Sequence, residues 1–286
     1  MNQNWKQQLK TLIKTILSPI LPYKMVCFLR GQRFRLEIHL ADHCNLNCVG
    51  CTHFSPLADA KFLDVENYKK DAAQFAKLAG KYVNEVHLLG GEPLLHKEIN
   101  EIMAITRENF PKSAVIILTN GILLATMPEE FWLACKNTDT AISISPYPIN
   151  IDVKKICGQA TKYGVIVKNN QETYKTTFAK DVHDLKGTQN IKKSFEKCVC
   201  KHCNLLYEGK FYICHQPAYI KYFNKAFGTD LQVKNSDYID IYKINSAKPI
   251  LKYLRNPIPF CRYCDVKSNE DGIIWRQSKK DISEWV

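Results

Sequence analysis

Three cysteines lie in one short run of the chain, at Cys44, Cys48 and Cys51. Their C-x3-C-x2-C spacing directly follows the strand-like segment 34–40, so three thiolates can share one small loop at a strand end. Three thiolates can hold three irons of a cubane 4Fe–4S cluster and leave the fourth iron open, whereas electron-transfer clusters use four cysteines. The pattern therefore predicts a cluster that binds an external ligand and does chemistry on it.

A structural zinc site is the alternative for these cysteines. Zinc usually takes four ligands, and its common pattern is two C-x2-C pairs. The sequence has no second pair near Cys44, which favours the iron–sulfur cluster.

Two further motifs follow strand-like runs downstream. Gly90, Gly91, Glu92 and Pro93 come directly after one such run, and a Thr-Asn-Gly turn with Asn120 at its centre ends the next. With the cysteine triad, this order of motifs resembles the radical S-adenosylmethionine (SAM) superfamily. The glycines allow backbone to approach a ligand closely.

The resemblance implies a mechanism and a set of cofactor contacts. In that family the open iron chelates the amino and carboxylate groups of SAM. One electron from the cluster cleaves SAM to methionine and a 5′-deoxyadenosyl radical, which abstracts hydrogen from the substrate. The glycine-rich segment, Asn120 and Ser143 are expected to help bind SAM. Gly50 stands where the family usually has an aromatic residue near adenine.

From residue 34 to about 170, β-rich runs alternate with helix-length segments. Strands are predicted at 34–42, 85–89, 114–119, 140–145 and 165–169, and helices near 65–79, 98–109, 129–136 and 152–163. Asp64 and Pro128 are typical of helix starts. The alternation predicts an α/β domain with a parallel sheet and ligands at the carboxyl ends of its strands. By resemblance, residues 34–190 form a partial (β/α)6 TIM-like barrel, open on one side.

The first strand of this domain alternates apolar with polar residues, and Glu37 and His39 share its polar face. Because side chains alternate faces along a strand, the apolar face can pack on helices while the polar face lines the barrel. We therefore expect a polar lumen suited to a hydrophilic substrate. Glu37, His39 and His87 are candidate ligand contacts, and a hydrogen-bond network inside the barrel is the alternative.

Residues 191–286 are rich in cysteine, and residues 206–214 are predicted to form a hairpin with Glu-Gly at its tip. The cysteines are Cys198, Cys200, Cys203, Cys214, Cys261 and Cys264. This region resembles the auxiliary-cluster extension of radical SAM enzymes, in the short "twitch" form rather than the longer SPASM form. The resemblance implies a second, auxiliary 4Fe–4S cluster on Cys198, Cys214, Cys261 and Cys264, with Cys203 or Cys200 as a substitute for Cys198. Spacing alone leaves a zinc ribbon open.

Six cysteines exceed four ligand positions. A spare thiol near the radical could donate a hydrogen atom to the substrate from the opposite face, as in radical SAM epimerases. Cys200 and Cys203 are the candidates for this catalytic thiol, and an inert cysteine is the alternative.

Composition limits the partners and the compartment. The 286-residue chain carries a net charge of +12, which favours an anionic partner such as a phosphorylated substrate or a membrane surface. Its lysines are scattered with no arginine-rich block, so no specific nucleic-acid role is predicted. The metal-like cysteine spacings, with no signal peptide and no long apolar run, favour a reducing, cytoplasmic location. Residues 1–33 are expected to form a lead-in whose amphipathic helix at 5–17 docks on the barrel, or alternatively lies on an anionic membrane surface.

Together these features predict a radical SAM enzyme that takes electrons from a flavodoxin or ferredoxin-type donor. Its substrate is expected to be a small molecule, a sugar or glycan intermediate of anionic character, which the enzyme oxidises or epimerises. A peptide-modifying maturase that forms epimers or thioethers is one alternative. A non-catalytic zinc-binding protein is the other.

Overall fold

The computed structural model describes residues 33–145, 147–169 and 177–286. The amphipathic helix predicted at residues 5–17 lies outside the described residues. Within those residues, no helix combines the length and the apolar character that a bilayer crossing requires.

The regular elements of the described residues alternate along the chain. The strands are β1 (Phe34–Ala41), β2 (Val83–Gly90), β3 (Ala114–Thr119), β4 (Thr140–Ile144), β5 (Val167–Asn169), β6 (Thr177–Lys180), β7 (Asn204–Tyr207), β8 (Lys210–Tyr212), β9 (Ile239–Asp240) and β10 (Glu270–Ile274). The helices are α1 (Val65–Ala79), α2 (Ile99–Asn109), α3 (Glu129–Asn137), α4 (Val153–Tyr163), α5 (Ile191–Lys197), α6 (Gln216–Phe227) and α7 (Lys248–Tyr253).

The main sheet has the strand order β5-β4-β3-β2-β1-β7-β8-β9. β1 to β5 pair in parallel, each with the next along the chain, and α1 to α4 make the crossovers. The predicted helix starts are confirmed, because Asp64 Oδ1 accepts a 2.8 Å hydrogen bond from Asn67 N and Pro128 occupies the position directly before the first residue of α3. This is the α/β partial barrel that the sequence predicts.

The cysteine-rich region continues the same sheet across residue 190. β7 pairs in parallel with β1 on the edge opposite β2, with Leu36 beside Asn204. β7 and β8 form the predicted hairpin, in which Glu208 and Gly209 have φ values of 48° and 71°. Two successive residues with positive φ give the tight turn that joins twisted antiparallel strands. The hairpin therefore forms one wall of the barrel.

The C-terminal segment folds back onto the start of the barrel. β10 pairs antiparallel with β6. The residues after β10 then reach the cysteine loop, where Val49 N donates to Arg276 O at 2.9 Å and Ser278 N donates to Asn47 O at 2.7 Å. These hydrogen bonds place the tail over the loop.

The apolar face of β1 fixes which side chains enter the barrel. Leu36, Ile38 and Leu40 are fully buried in the core between the sheet and its helices. Each such side chain contributes about 1.5–3 kcal/mol by burial. Since faces alternate along a strand, Glu37 and His39 point to the lumen, as predicted.

Candidate functional site

The first cysteine loop leaves β1 and carries three free thiols, Cys44, Cys48 and Cys51. Burial raises the pKa of Cys44 to about 11. Burial also raises the pKa of Cys48 to about 12, and the negative charge of neighbouring Cys51 and Cys44 adds to this effect. The three sulfur atoms therefore lie close enough to repel one another as thiolates. A cationic metal centre is what would hold them deprotonated at neutral pH.

The glycines at the end of β2, Gly90 and Gly91, pack directly against the backbone that leads into this loop. Gly91 N donates to Ala41 O at 2.7 Å. A Cβ atom on Gly91 would lie 2.0 Å from His43 O, and one on Gly90 would lie 2.4 Å from Ala41 O. Side chains at these two positions would overlap backbone atoms, so only glycine fits without displacing the loop.

Glu92 connects the turns that follow β2 and β3. Its side chain accepts hydrogen bonds from Thr119 Oγ1 at 2.6 Å, from Asn120 N at 2.9 Å and from Leu94 N at 3.1 Å. Burial raises the pKa of Glu92 to about 7 even with these donors. The adjacent Pro93 is also buried, at the start of a short 3-10 turn. The Glu92 carboxyl is thus committed to protein groups that hold the two turns together.

Asn120 reaches from the turn after β3 to the cysteine loop. Its Nδ2 donates to Asn45 Oδ1 at 2.7 Å and lies 3.7 Å from Cys44 Sγ. Ser143 is half-buried on β4, where it pairs with Leu118 near the same end of the sheet. The three motifs singled out in the sequence therefore meet at one edge of the barrel.

Two tryptophans of the C-terminal tail contact the cysteine loop, and no sequence motif marks them. Trp275 Nε1 donates to Cys48 Sγ at 3.2 Å, and Trp285 Nε1 donates to Cys51 O at 2.9 Å. The ring of Tyr147 lies 6.4 Å from that of Trp275. Aromatic surface therefore stands beside Cys48, although Gly50 leaves none within the loop itself.

A second group of cysteines lines a cavity of about 270 Å³ in the C-terminal region. Its sulfur-bearing residues are Cys198, Cys200, Cys214, Cys261 and Cys264. Burial raises the pKa of Cys214 and of Cys264 well above the usual value, and negative charge on the other cysteines adds to it. α5, β8 and the 3-10 turn Pro259–Tyr263 thus bring the four predicted ligands to one place.

The two candidate spare thiols lie apart. Cys200 is on the cavity, where its thiol donates to Asp181 Oδ2 at 3.3 Å. Cys203 is not among the described residues that line the cavity. Arg35 instead donates to Cys203 Sγ at 3.4 Å, beside Glu37. Cys203 therefore belongs to the barrel lumen.

The lumen holds a buried polar cluster. Glu37 and His39 project from β1, and His87 lies opposite Glu37 on β2. The ring of His53 lies 4.7 Å from that of His39 and 4.3 Å from that of His215. Burial lowers the pKa of His39 to about 4, so its imidazole is neutral. Sequence reasoning did not place His53 or His215 in the lumen, because neither lies in a strand pattern.

Residues 38–178 match the family model described as the radical SAM superfamily. A probable GTP 3′,8-cyclase from Methanocella arvoryzae is 35% identical over 102 residues, which cover 35% of this chain and 31% of that protein. A GTP 3′,8-cyclase from Chlorobaculum tepidum is 36% identical over 89 residues, covering 31% of this chain and 26% of that protein. The chain thus spans about a third or less of the length of these curated relatives.

Solved structures with a similar fold include BtrN in complex with AdoMet and 2-DOIA. Its alignment with this chain has a TM-score of 0.49 at 16% sequence identity and covers 82% of this chain and 93% of the BtrN chain. Native anSMEcpe with bound AdoMet and Cp18Cys peptide has a TM-score of 0.35 at 17% identity, covering 48% of this chain and 42% of that chain.

Proposed function

Because residues 38–178 form a radical SAM domain, we propose that the chain cleaves SAM reductively at a 4Fe–4S cluster held by Cys44, Cys48 and Cys51. The observation that carries this proposal is the meeting of three motif loops at one end of the parallel strands. When bound, the cluster and SAM supply a 5′-deoxyadenosyl radical that takes a hydrogen atom from a substrate carbon. The electrons are proposed to come from a flavodoxin or ferredoxin-type donor.

The donor set fits such a cluster. Three free, converging thiols with raised pKa values need a cationic centre to become thiolates, and three protein sulfurs leave one iron for SAM. Gly90 and Gly91 expose backbone beside the loop, where the amino group of SAM is proposed to bind. Asn120 and Ser143 are proposed to complete that binding site, and Trp275 with Tyr147 to provide the aromatic wall next to it.

We propose a second 4Fe–4S cluster in the C-terminal cavity, with Cys198, Cys214, Cys261 and Cys264 as ligands. The cavity has room beside all four sulfurs. Four protein thiolates close the site, so its role is to accept an electron or to support the structure.

The substrate is proposed to be a small hydroxylated molecule of the sugar or nucleotide-linked sugar class. This substrate class is supported by the polar side chains of the lumen, because the neutral imidazole of His39 and the carboxyl of Glu37 can form hydrogen bonds with hydroxyl groups. Oxidation of a hydroxylated carbon would remove a hydrogen atom, a hydroxyl proton and one electron, and a cluster held by Cys198, Cys214, Cys261 and Cys264 would supply the acceptor for that electron. Relatives named as GTP cyclases make GTP a member of the substrate panel.

The position of Cys203 supports epimerisation of the substrate as a second possible reaction, beside oxidation. Its thiol lies in the lumen and is held by Arg35. A thiol there could return a hydrogen atom to the substrate radical from the other face, and one electron from the flavodoxin or ferredoxin-type donor with one proton from solvent would regenerate the thiol from the thiyl radical. Product formed in D2O distinguishes the outcomes, because epimerisation places deuterium on the carbon and oxidation gives a carbonyl.

The test is anaerobic reconstitution of the wild type and of a Cys44/Cys48/Cys51 triple alanine variant, with iron, zinc and sulfide counted and 5′-deoxyadenosine measured under reduction. We expect about eight irons in the wild type and about four in the variant, with 5′-deoxyadenosine from the wild type alone. Zinc without iron would overturn the proposal in favour of a zinc-binding protein. Turnover of a precursor peptide, with none of sugars or nucleotides, would replace the substrate class by that of a peptide maturase.

A further inference from the structure

We infer that the barrel lumen contains a binding site for one divalent transition-metal ion, with Glu37, His39 and His53 as its ligands. None of these residues belongs to either cysteine cluster. The inference concerns binding of the ion and does not rest on the proposed reaction.

The ligand atoms converge. One oxygen of Glu37 and one nitrogen from each of His39 and His53 all lie within 4.8 Å of one another. Glu37 Oε2 lies 3.8 Å from His39 Nε2. Two ligands about 2.1 Å from one zinc ion are at most about 4.2 Å apart. The observed pair meets this limit, and rotation of the half-buried His53 ring can bring its nitrogen within the same range.

Several of these ligand atoms are buried and have no hydrogen-bond partner among the described residues. Among residues 33–145, 147–169 and 177–286, neither Glu37 Oε2 nor either ring nitrogen of His39 has a hydrogen-bond partner. The two residues are only 3% and 1% exposed. A buried polar group without a partner costs about 1–3 kcal/mol. A bound ion would satisfy Glu37 Oε2 and one nitrogen of His39 at the same point.

The charges around Glu37 determine on which side the ion lies. Cys203 and His215 also come within 4.8 Å of Glu37. On that side, however, the Arg35 guanidinium contacts both Glu37 Oε1, at 3.4 Å, and Cys203 Sγ, at 3.4 Å. A cation is disfavoured next to a guanidinium, so the ion belongs on the Oε2 side, with His39 and His53.

The donor set defines the class of ion. Two imidazole nitrogens and one carboxylate suit Zn²⁺ or Fe²⁺, whereas Mg²⁺ and Ca²⁺ prefer oxygen ligands. Three protein ligands also leave coordination positions open. An oxygen of a hydroxyl or carboxylate ligand can occupy such a position inside the lumen.

The experiment uses the full chain with both clusters reconstituted, dialysed anaerobically against a series of zinc sulfate concentrations so that both the number of bound zinc ions and their affinity are measured. Zinc and iron per chain are counted for the wild type, Glu37→Gln and His39→Gln. The matched control is His96→Gln, because His96 is a buried histidine whose two nitrogens already pair with Leu63 O at 2.9 Å and Glu98 N at 3.1 Å. We expect one zinc per wild-type chain, a loss of at least tenfold in affinity in both lumen variants, and wild-type affinity in the control.

The inference is overturned if the wild type takes up no zinc, or if both lumen variants bind zinc as tightly as the wild type. Iron content and circular dichroism show whether each variant is folded. If the lumen variants misfold, X-ray absorption of zinc in the wild type decides. Nitrogen and oxygen neighbours at about 2.0–2.2 Å support the site, and a sulfur shell at about 2.3 Å places the zinc on cysteines and overturns it.

Discussion

Replacing Gly91 with alanine should disable the first cysteine loop and leave the second cysteine site intact. The added Cβ would lie 2.0 Å from His43 O, 2.3 Å from His43 C and 2.9 Å from Cys44 N. Ordinary contact begins near 3.4 Å, so the backbone entering the loop must move by about 1.4 Å (3.4 minus 2.0). All three contacts are with backbone, which cannot rotate away as a side chain can.

Two magnitudes follow from this displacement. Overpacking of this kind costs about 1–3 kcal/mol of folding free energy. A misplacement of about 1 Å in a catalytic arrangement can cost about 100-fold in rate. We therefore expect Gly91→Ala to release 5′-deoxyadenosine at least about 100-fold more slowly than the wild type, while the four irons of the second cluster are retained.

Gly158→Ala is the matched control. Gly158 lies on the exposed side of α4, and a Cβ there meets no atom within 4 Å. Alanine is favoured over glycine inside a helix by about 0.5–1 kcal/mol, so this variant should keep its iron and gain slightly in melting temperature. The reasoning is refuted if Gly91→Ala keeps about eight irons and a rate within twofold of the wild type.

Three further predictions concern single side chains. Trp275→Phe removes a hydrogen bond to Cys48 Sγ, and because such bonds stabilise the reduced cluster, the reduction potential followed by EPR should become more negative; an unchanged potential would contradict this. Burial raises the pKa of Glu92 from 4.5 to about 7. Ionisation of this carboxyl therefore lowers the free energy of unfolding of the protein as pH rises from about 4.5 to about 7. Glu92→Gln has no titrating carboxyl at this position. Its free energy of unfolding, measured relative to that of the wild type, should therefore rise by up to about 3 kcal/mol between pH 5 and 8, at 1.36 kcal/mol per pKa unit. If the free energies of unfolding of the two proteins change with pH in parallel, the assignment is disproved. Cys203→Ser should keep all its iron while Cys198→Ser loses about four atoms, and the reverse result would make Cys203 the ligand.

The barrel could be predicted because its signals are local. Asp64 and Pro128 start their helices as expected, since capping depends on residues within one turn. The polar and apolar faces of β1 follow from alternation alone. The hairpin at Glu208 and Gly209 was equally local, with its two turn residues set between apolar runs.

The arrangement around the two groups of cysteines depends on contacts between distant residues, which spacing does not reveal. Cys198, Cys200 and Cys203 lie within six residues, and only the 3-10 turn at Cys200–His202 directs Cys203 toward Arg35 and away from the cavity. Trp275 reaches Cys48 across 227 positions of sequence. The glycine-rich motif lies at the end of a strand, as predicted, but the sequence did not reveal that the carboxyl of Glu92 accepts hydrogen bonds from Thr119 and Asn120 inside the protein.

The pairing of β7 with β1 bears on whether the barrel can exist without the second cysteine region. β1 is hydrogen-bonded to β2 along one edge and to β7 along the other. A truncation after residue 190 would uncover the second edge of a strand that carries Leu36 and Ile38. Exposed apolar strand edges act as templates for aggregation. A shortened chain is thus expected to be insoluble whatever its iron content, because the region that carries the second set of cysteines also seals the barrel against self-association.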